Sequence, residues 1–197
     1  MATDNHNADT GDLGGWMQTH SGKAYHHRSP RQESIDINDI AHALSMICRF
    51  GGHTWHFYSV AEHSVLVSQV VPEEHAFAAL MHDATEAYVC DVPRPLKHML
   101  GAVYAELEDL AWQAICQKFF IHPVLPACVK EADNTVLIAE KHALLLDPPI
   151  PWTWAADIEP ADVTIRCLEP SLAKRVFLRR YMELRRGRHE ALLGVGQ

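Results

Sequence analysis

The sequence predicts an all-α fold in which helices pack around one hydrophobic core. Three observations support this class. Apolar residues recur at three- and four-residue spacings in several segments of the chain. Prolines and glycines separate these segments and mark their ends. No segment shows the apolar and polar alternation that a half-buried strand requires, and no internal repeat is present.

The first predicted helix covers residues 37–47. Its apolar side chains recur at helical spacing and form one stripe: Ile37, Ile40, Ala41, Leu44 and Ile47. Two glycines, Gly51 and Gly52, end this pattern. The sequence therefore places Arg49 at a helix end.

Two further helices are predicted over residues 59–71 and 72–89. Ser59 and Glu62 have the spacing of a capping box, in which the two side chains satisfy each other's backbone N–H groups. Pro72 begins the next helix, because proline suits the first helical turn and two glutamates follow it. The segments thus divide at a proline.

The remaining predicted helices cover residues 102–120, 126–146 and 170–186. The segment 91–95 contains two prolines and is predicted to be a stiff loop. The segment 147–169 is rich in proline and has no regular period, so we expect an irregular connection there.

The chain is expected to form one domain. Its 197 residues, with 48% hydrophobic content, suffice for one buried core but not for two full domains. We expect this domain to cover residues 16–190, with flexible termini at residues 1–15 and 191–197. An irregular N-terminal segment, anchored by Trp16 and Tyr25, precedes the first helix.

Charge and composition limit the possible partners. The 17 Lys and Arg residues are outnumbered by 25 Asp and Glu, and the formal net charge of -8 argues against binding nucleic acid. Five cysteines form no CxxC pair, which is typical of a reducing compartment. The N-terminal residues lack the features of a signal peptide, and no apolar run could span a membrane. We expect a cytoplasmic protein without nucleic-acid or membrane partners.

Ionisable side chains recur on the predicted core faces of three helices. His63 lies on an apolar stripe, although a lone histidine there is more often a hydrogen-bonded core residue. His82 and Asp83 border the stripe of the next helix, beside Glu86. Asp133 lies on an apolar edge of a later helix, where a carboxylate is costly unless a partner or a metal compensates its charge. The combination favours a metal site.

The residue types of these four side chains indicate which metals and which reaction the site suits. Two imidazoles and two carboxylates form a mixed nitrogen and oxygen ligand set that suits Zn, Mn, Fe, Co or Ni. A bound divalent ion lowers the pKa of its water and neutralises charge on phosphoryl oxygens. Hydrolysis of a phosphate ester is the reaction that fits this set.

The order of these residues resembles the HD-domain phosphohydrolases. That family has a His on one helix, a His-Asp pair on a later one and an Asp further on, as do His63, His82-Asp83 and Asp133 here. The likeness covers about residues 16–146. Three surrounding segments are similar to the bacterial and phage branch that contains small 5'-deoxynucleotidases and dATP triphosphohydrolases: residues 47–53, 57–63 and 81–97.

The resemblance implies an HD-domain helical bundle around a central metal site. Glu86 matches the residue that positions the attacking water or passes its proton, and Asp91 matches an acidic residue near the sugar and the scissile phosphate. The implied cofactor is a divalent transition metal (Co, Mn, Zn, Fe or Ni), and an additional Mg²⁺ is allowed. The implied metal ligands are His63, His82, Asp83 and Asp133.

Cationic side chains are the implied substrate contacts. Arg49 and Lys97 match phosphate contacts of the family, and Lys130, one turn before Asp133, is a third candidate. A helix cap is the alternative role for Arg49, and a plain surface charge is the alternative for the lysines. In the 5'-deoxynucleotidases a Trp follows the Arg, whereas this chain has Phe50. Phe50 is therefore a substrate-contact candidate that leaves sugar and chain-length selectivity open.

The implied function is a 5'-deoxynucleotidase that releases phosphate from a dNMP, with a small nucleotide as substrate and a homo-oligomeric assembly. A dNTP triphosphohydrolase is the alternative, and convergence of all three cations on one site would favour it. A catalytically weak, nucleotide-sensing HD protein is another alternative.

Trp152 and Trp154 either stack on a base or pin their loop to the core. A binding module is a further class, based on a basic last helix: Lys174, Arg175, Arg179, Arg180, Arg185, Arg186 and Arg188.

Overall fold

The fold of the chain is mostly helical, and the all-α class is confirmed. The computed structural model describes residues 15–192, and side chains through residue 188. Residues 1–14 and 193–197, which belong to the termini expected to be flexible, lie outside the described residues. A short hairpin joins β1 (Met17–Gln18) to β2 (Ala24–Tyr25). The α-helices that follow are α1 (Ile37–Met46), α2 (Val60–Val70), α3 (Ala76–Met81), α4 (Glu86–Val89), α5 (Arg94–Phe119), α6 (Ala127–Leu144) and α7 (Pro170–Leu192).

Helix α2 lies at the centre of the fold. It packs against α1, α3, α6 and α7. Every residue from Val60 to Ser68 is buried, which is expected for a helix surrounded by other helices. The hydroxyl of Ser64 donates to the carbonyl of Val60 at 2.9 Å, so this buried polar group is satisfied within the helix. The central position of α2 puts His63 in the interior of the protein.

The predicted capping box at the start of α2 is only half formed. The Ser59 hydroxyl accepts a hydrogen bond from the Glu62 backbone N–H at 3.2 Å, as predicted. The Glu62 carboxylate does not return the bond. It accepts instead from the backbone N–H groups of Arg166 and Leu168, each at 2.7 Å. The buried carboxylate thus holds the segment that leads into α7.

The single helix predicted over residues 72–89 is wrong, because the chain is broken between α3 and α4. A 3₁₀ turn at Glu73–His75 precedes α3, and residues 82–85 form a turn. The Nδ1–H of His82 donates to the carbonyl of Ala79 at 2.7 Å. In a continuous α-helix that carbonyl would accept from the backbone N–H of Asp83. The His82 side chain therefore occupies the acceptor that would have continued the helix.

Helix α5 begins earlier than the predicted helix over residues 102–120. It starts at Arg94, directly after Pro93, so residues 94 and 95 of the predicted stiff loop belong to the helix. Proline is tolerated in a first helical turn, which explains the difference. Gly101 interrupts α5 with φ 66° and ψ −146°, a conformation that favours glycine. Lys97 thus lies on the first part of a helix rather than after a loop.

The N-terminal hairpin escaped prediction because two-residue strands are too short to show alternation. Tyr25 is buried as expected, but Trp16 is 55% exposed, so the prediction that it anchors this segment is wrong. The hairpin is held to α1 by Asp39, whose carboxylate accepts from both the backbone N–H and the hydroxyl of Ser21.

The positions of the remaining helices agree with those predicted from the sequence. Helices α1 and α6 lie where they were predicted, and α7 continues beyond residue 186. A 3₁₀ turn at Thr153–Ala155 interrupts the irregular segment before α7. Of the helices within residues 15–192, none combines the length and hydropathy that crossing a bilayer requires.

Candidate metal centre

Three side chains from separate elements form a cluster that could hold a metal ion. One ligand atom from each of His63, His82 and Asp133 lies within 4.8 Å of the others. Asp83 adjoins them, because its Oδ2 lies 3.4 Å from His63 Nε2 and 3.2 Å from His82 Nε2. Asp133 Oδ1 lies 3.3 Å from His63 Nε2. The structure thus brings together all four residues that the sequence singled out as ligands.

Both imidazoles present Nε2 to this cluster. The Nδ1–H of His82 donates to Ala79, and Nδ1 of His63 is engaged by the carboxylate of Glu140 at 2.5 Å. The two Nε2 atoms are buried and have no hydrogen-bond partner within the described residues. Buried polar atoms are seldom left unpaired, and metal-binding histidines are typically held through the other ring nitrogen. The two orphaned nitrogens therefore fit a metal ion.

Electrostatics favour positive charge at this cluster. Burial and the Arg49 guanidinium oppose protonation of His63, but the carboxylates of Glu140 and Asp133 outweigh them and raise its pKa to about 9. Burial likewise opposes ionisation of Asp83 and Asp133, yet the neighbouring histidines hold the pKa of both carboxyls well below the usual range. The field that favours an imidazolium here also favours a bound cation.

Two more carboxyl groups stand beside the cluster. Burial, together with the charges of Asp83 and Asp91, raises the pKa of Glu86 well above its ordinary value. Its Oε2 is buried and has no hydrogen-bond partner within the described part of the chain. Burial and the charge of Asp83 also raise the pKa of Asp91. Neighbouring carboxyls with pKa values shifted in opposite directions are the pattern that general acid and base catalysis uses.

A cavity of about 450 Å³ opens onto this cluster. Its volume lies within the roughly 300–1,000 Å³ typical of small-molecule sites. Asp83 and Asp133 line it, together with Arg94, which the sequence did not assign to the substrate. Trp152 and Trp154, for which base stacking was one of two alternatives, also line it. All six residues predicted for catalysis or substrate binding line the same cavity: Arg49, Phe50, Glu86, Asp91, Lys97 and Lys130.

The cationic side chains of the cavity are paired with carboxylates. Lys130 Nζ lies 2.6 Å from Asp133 Oδ2, although the lysine is 63% exposed. Lys97 Nζ lies 2.6 Å from Glu108 Oε1. Arg49 lies 3.6 Å from Asp83 and is buried. Carboxylates thus hold these cations at the cavity wall.

No family model matches the sequence. The uncharacterized protein YfdR of Escherichia coli (strain K12) is 43% identical over 170 residues, which span 86% of this chain and 95% of the E. coli protein. The chain belongs to the YfdR family. An uncharacterized protein of Rhodobacter capsulatus is 37% identical over 126 residues, or 59% of this chain and 64% of that protein. The names of these relatives assign no activity to the cluster of this YfdR-family chain.

Glu140 is a residue of this YfdR-family site that the sequence did not indicate. Its side chain is fully buried on α6. Oε1 accepts from the Tyr58 hydroxyl at 2.7 Å and contacts His63, while Oε2 accepts from Arg49 Nε at 3.1 Å. Although burial opposes its ionisation, Arg49 and His63 hold the pKa of Glu140 below its usual value. The one available signal was its position two helical turns after Asp133 on the same face.

The basic residues of α7 are partly structural in this YfdR-family chain. Arg180 donates to the hydroxyl and the carbonyl of Ser68 on α2. Arg188 Nη2 donates to the carbonyl of Phe120 at 2.8 Å. These contacts tie α7 to the helices beneath it, so two of the cations serve the fold.

Proposed function

We propose that the protein is a metal-dependent phosphohydrolase of the HD-domain class that acts on deoxynucleotides. One observation carries this proposal. Two buried histidine Nε2 atoms without a hydrogen-bond partner lie beside two carboxylates, next to a cavity of about 450 Å³. The order of these four residues along the chain, which resembles the HD-domain phosphohydrolases, supports the same class and an HD-type helical bundle.

The proposed ligands are His63, His82, Asp83 and Asp133. Two nitrogens and two carboxylates suit a divalent transition metal (Co, Mn, Zn, Fe or Ni), and the nearby carboxyls are compatible with an additional Mg²⁺. When bound, such an ion supplies a Lewis acid for a phosphoryl oxygen and lowers the pKa of a coordinated water.

The remaining residues of the cavity divide the other tasks. The Glu86 carboxyl, with its unpartnered Oε2, takes a proton from the attacking water or gives one to the leaving oxygen. Asp91 lines the same cavity, and its proposed role, taken from the family resemblance, is contact with the sugar and the scissile phosphate. Arg49 and Lys97 donate hydrogen bonds to phosphate oxygens, which fixes the phosphate beside the cluster. Glu140 holds His63 and Arg49 in place for these roles.

The substrate that we propose first is a phosphate monoester. Four cationic side chains line the cavity, and four carboxyl groups match them: Arg49, Arg94, Lys97 and Lys130 against Asp83, Glu86, Asp91 and Asp133. The cations would attract an anionic phosphate, and the stretch from His82 to Lys97 is most similar to the 5'-deoxynucleotidases. A 5'-deoxynucleotidase acting on a dNMP is therefore the first candidate.

A dNTP triphosphohydrolase is the second candidate. Lys130, Arg49 and Lys97 all line the same cavity, and such convergence favours a longer phosphate chain.

We also propose a cytoplasmic location, a homo-oligomeric assembly and no nucleic-acid or membrane partner.

The test combines metal analysis with kinetics. Protein purified without chelators is expected to contain a divalent transition metal and to release phosphate from deoxynucleotides. We expect kcat/KM with Mn²⁺ or Co²⁺ to be higher for dAMP than for dATP. A dATP preference that Lys130→Ala abolishes would establish the triphosphohydrolase instead. Metal-loaded protein that binds nucleotides but hydrolyses none would contradict the enzymatic proposal and favour the sensor.

A further inference from the structure

Two tryptophans line the cavity and have no role in the proposed catalysis. Trp152 and Trp154 flank Thr153 at the 3₁₀ turn of the irregular segment, and both line the cavity. Their ring centres are 6.1 Å apart and their planes differ by 20°. Within residues 15–192, neither indole N–H donates a hydrogen bond to a protein acceptor. The wall therefore presents aromatic faces and unused donors.

The exposure of Trp154 distinguishes between the two roles considered for this loop. A tryptophan that pinned the loop to the core would be buried, but Trp154 is 50% exposed. The next residue, Ala155, is the buried contact of the turn. Lys141 Nζ lies 5.4 Å from the ring centre of Trp152, and both residues also line a second cavity. Trp152 thus lines both cavities, while the half-exposed Trp154 lines the first.

Arg94 connects this wall to the metal cluster. Its guanidinium carbon lies 4.8 Å from the centre of the Trp154 ring, and its Nη2 donates to Asn134 Oδ1 at 3.1 Å. The same Nη2 lies 3.6 Å from Asp133 Oδ2. A guanidinium is planar and stacks on aromatic rings, so Arg94 and Trp154 form a pair of stacked planar groups at the cavity wall. The cavity thus has a carboxylate-rich end at the cluster and an aromatic end about one arginine side chain away.

We propose that Trp154 and Arg94 form a subsite that stacks the nucleobase of the substrate. This inference rests on the proposed deoxynucleotide substrate, because it assigns the base of that substrate to the aromatic end of the cavity. A nucleotide is anionic at its phosphate and planar and aromatic at its base, and the two ends of the cavity have the complementary chemistry. Stacking does not require a particular base, since every base has a π-face.

The test separates the base from the rest of the nucleotide. Equilibrium dialysis of the full-length protein with deoxyadenosine measures the base without phosphate, and 2-deoxyribose is the ligand without a base. We expect deoxyadenosine to bind and 2-deoxyribose not to bind. Trp154→Ala should weaken the binding of deoxyadenosine by roughly tenfold. Trp154→Phe should restore part of the affinity. Trp55→Ala is the matched control, because Trp55 is 62% exposed and does not line the cavity.

Hydrolysis distinguishes failure of the subsite from failure of the proposed function. With dAMP, Trp154→Ala should raise KM by roughly tenfold and change kcat little, whereas 2-deoxyribose 5-phosphate should react as with wild type. Trp154-dependent binding of deoxyadenosine without any hydrolysis would support the subsite and overturn the proposed function. Normal hydrolysis with no binding of deoxyadenosine, or with unchanged binding in Trp154→Ala, would overturn the subsite alone.

Discussion

Glu140 and His63 form a fully buried pair, in which Oε1 of the carboxylate lies 2.5 Å from Nδ1 of the imidazole. The residues are 77 positions apart in the chain and lie on α6 and α2. Because Glu140 engages Nδ1, the other ring nitrogen is left to the metal cluster. The same carboxylate holds Arg49, so one side chain positions both a proposed metal ligand and a proposed phosphate contact.

Replacing Glu140 by Gln should weaken metal binding. We expect a loss of roughly 10- to 100-fold in affinity, the usual effect of removing a carboxylate behind a metal-binding histidine. Competition with a chelator measures this affinity, and circular dichroism checks that the variant is folded. Glu131→Gln is the matched control, since Glu131 is exposed on the same helix. Unchanged affinity in Glu140→Gln would show that the pair serves only the fold.

Removal of any proposed ligand should abolish both metal binding and activity. We expect His63→Ala, His82→Ala, Asp83→Ala and Asp133→Ala each to lose most of the bound metal and nearly all phosphate release. Metal analysis and a phosphate assay on the same preparations test this. His98→Ala is the control, because His98 is exposed on α5. Full activity in Asp133→Ala would contradict the assignment of the site.

Glu86 should affect turnover and not metal content. It lies beside the cluster with an unpartnered carboxyl oxygen, outside the proposed ligand set. We expect Glu86→Gln to retain the metal and to lower kcat by roughly 10²- to 10⁴-fold, as for a general acid or base. Loss of the metal together with activity would instead identify Glu86 as a ligand.

Asp36 should stabilise the fold at neutral pH and not at low pH. Its side chain caps α1 by accepting from Asn38 N at 2.9 Å, and it accepts from Lys23 Nζ at 2.8 Å. The hydrogen bond from Lys23, assisted by Asn38, holds the pKa of Asp36 below its ordinary value. A lowered folded-state pKa means that the stabilisation is present above the unfolded pKa of about 3.9 and is lost as the pH falls through the folded pKa.

The measurement for Asp36 is the free energy of unfolding in urea at neutral and acidic pH. Asp36→Ala should lower it by about 1 kcal/mol at neutral pH, the usual value of an N-cap. The difference from wild type should shrink once the pH falls below about 3.9. A difference that is constant with pH would show that the carboxylate charge contributes nothing.

The sequence predicted the elements that depend on local patterns. Helix α1 and the Ser59 cap of α2 were predicted because apolar spacing and capping act within a few residues. The four clustered ionisable residues were predicted because each lies on or beside an apolar stripe and because their order along the chain resembles the HD-domain phosphohydrolases. The structure brings these residues together, whereas the identity of the metal and the reaction stay predictions.

The features that the sequence did not predict depend on contacts that periodicity does not encode. The break after α3 follows from a side-chain bond of His82 to the backbone of Ala79, which competes with the helix. The buried role of Glu140 follows from residues far away in the chain. The pairing of Lys97 with Glu108 joins two turns on either side of Gly101, whose interruption of α5 was not predicted.

The carboxylate of Glu62 binds the main chain of Arg166 and Leu168, and not their side chains. Many residue types could therefore replace these two during evolution, since any residue except proline offers the same N–H group. Insertions and deletions are a different matter, because a shift of one residue would turn one donor away from a buried charge. We expect relatives to vary in composition along this segment while conserving its length and path beside the helix that carries His63.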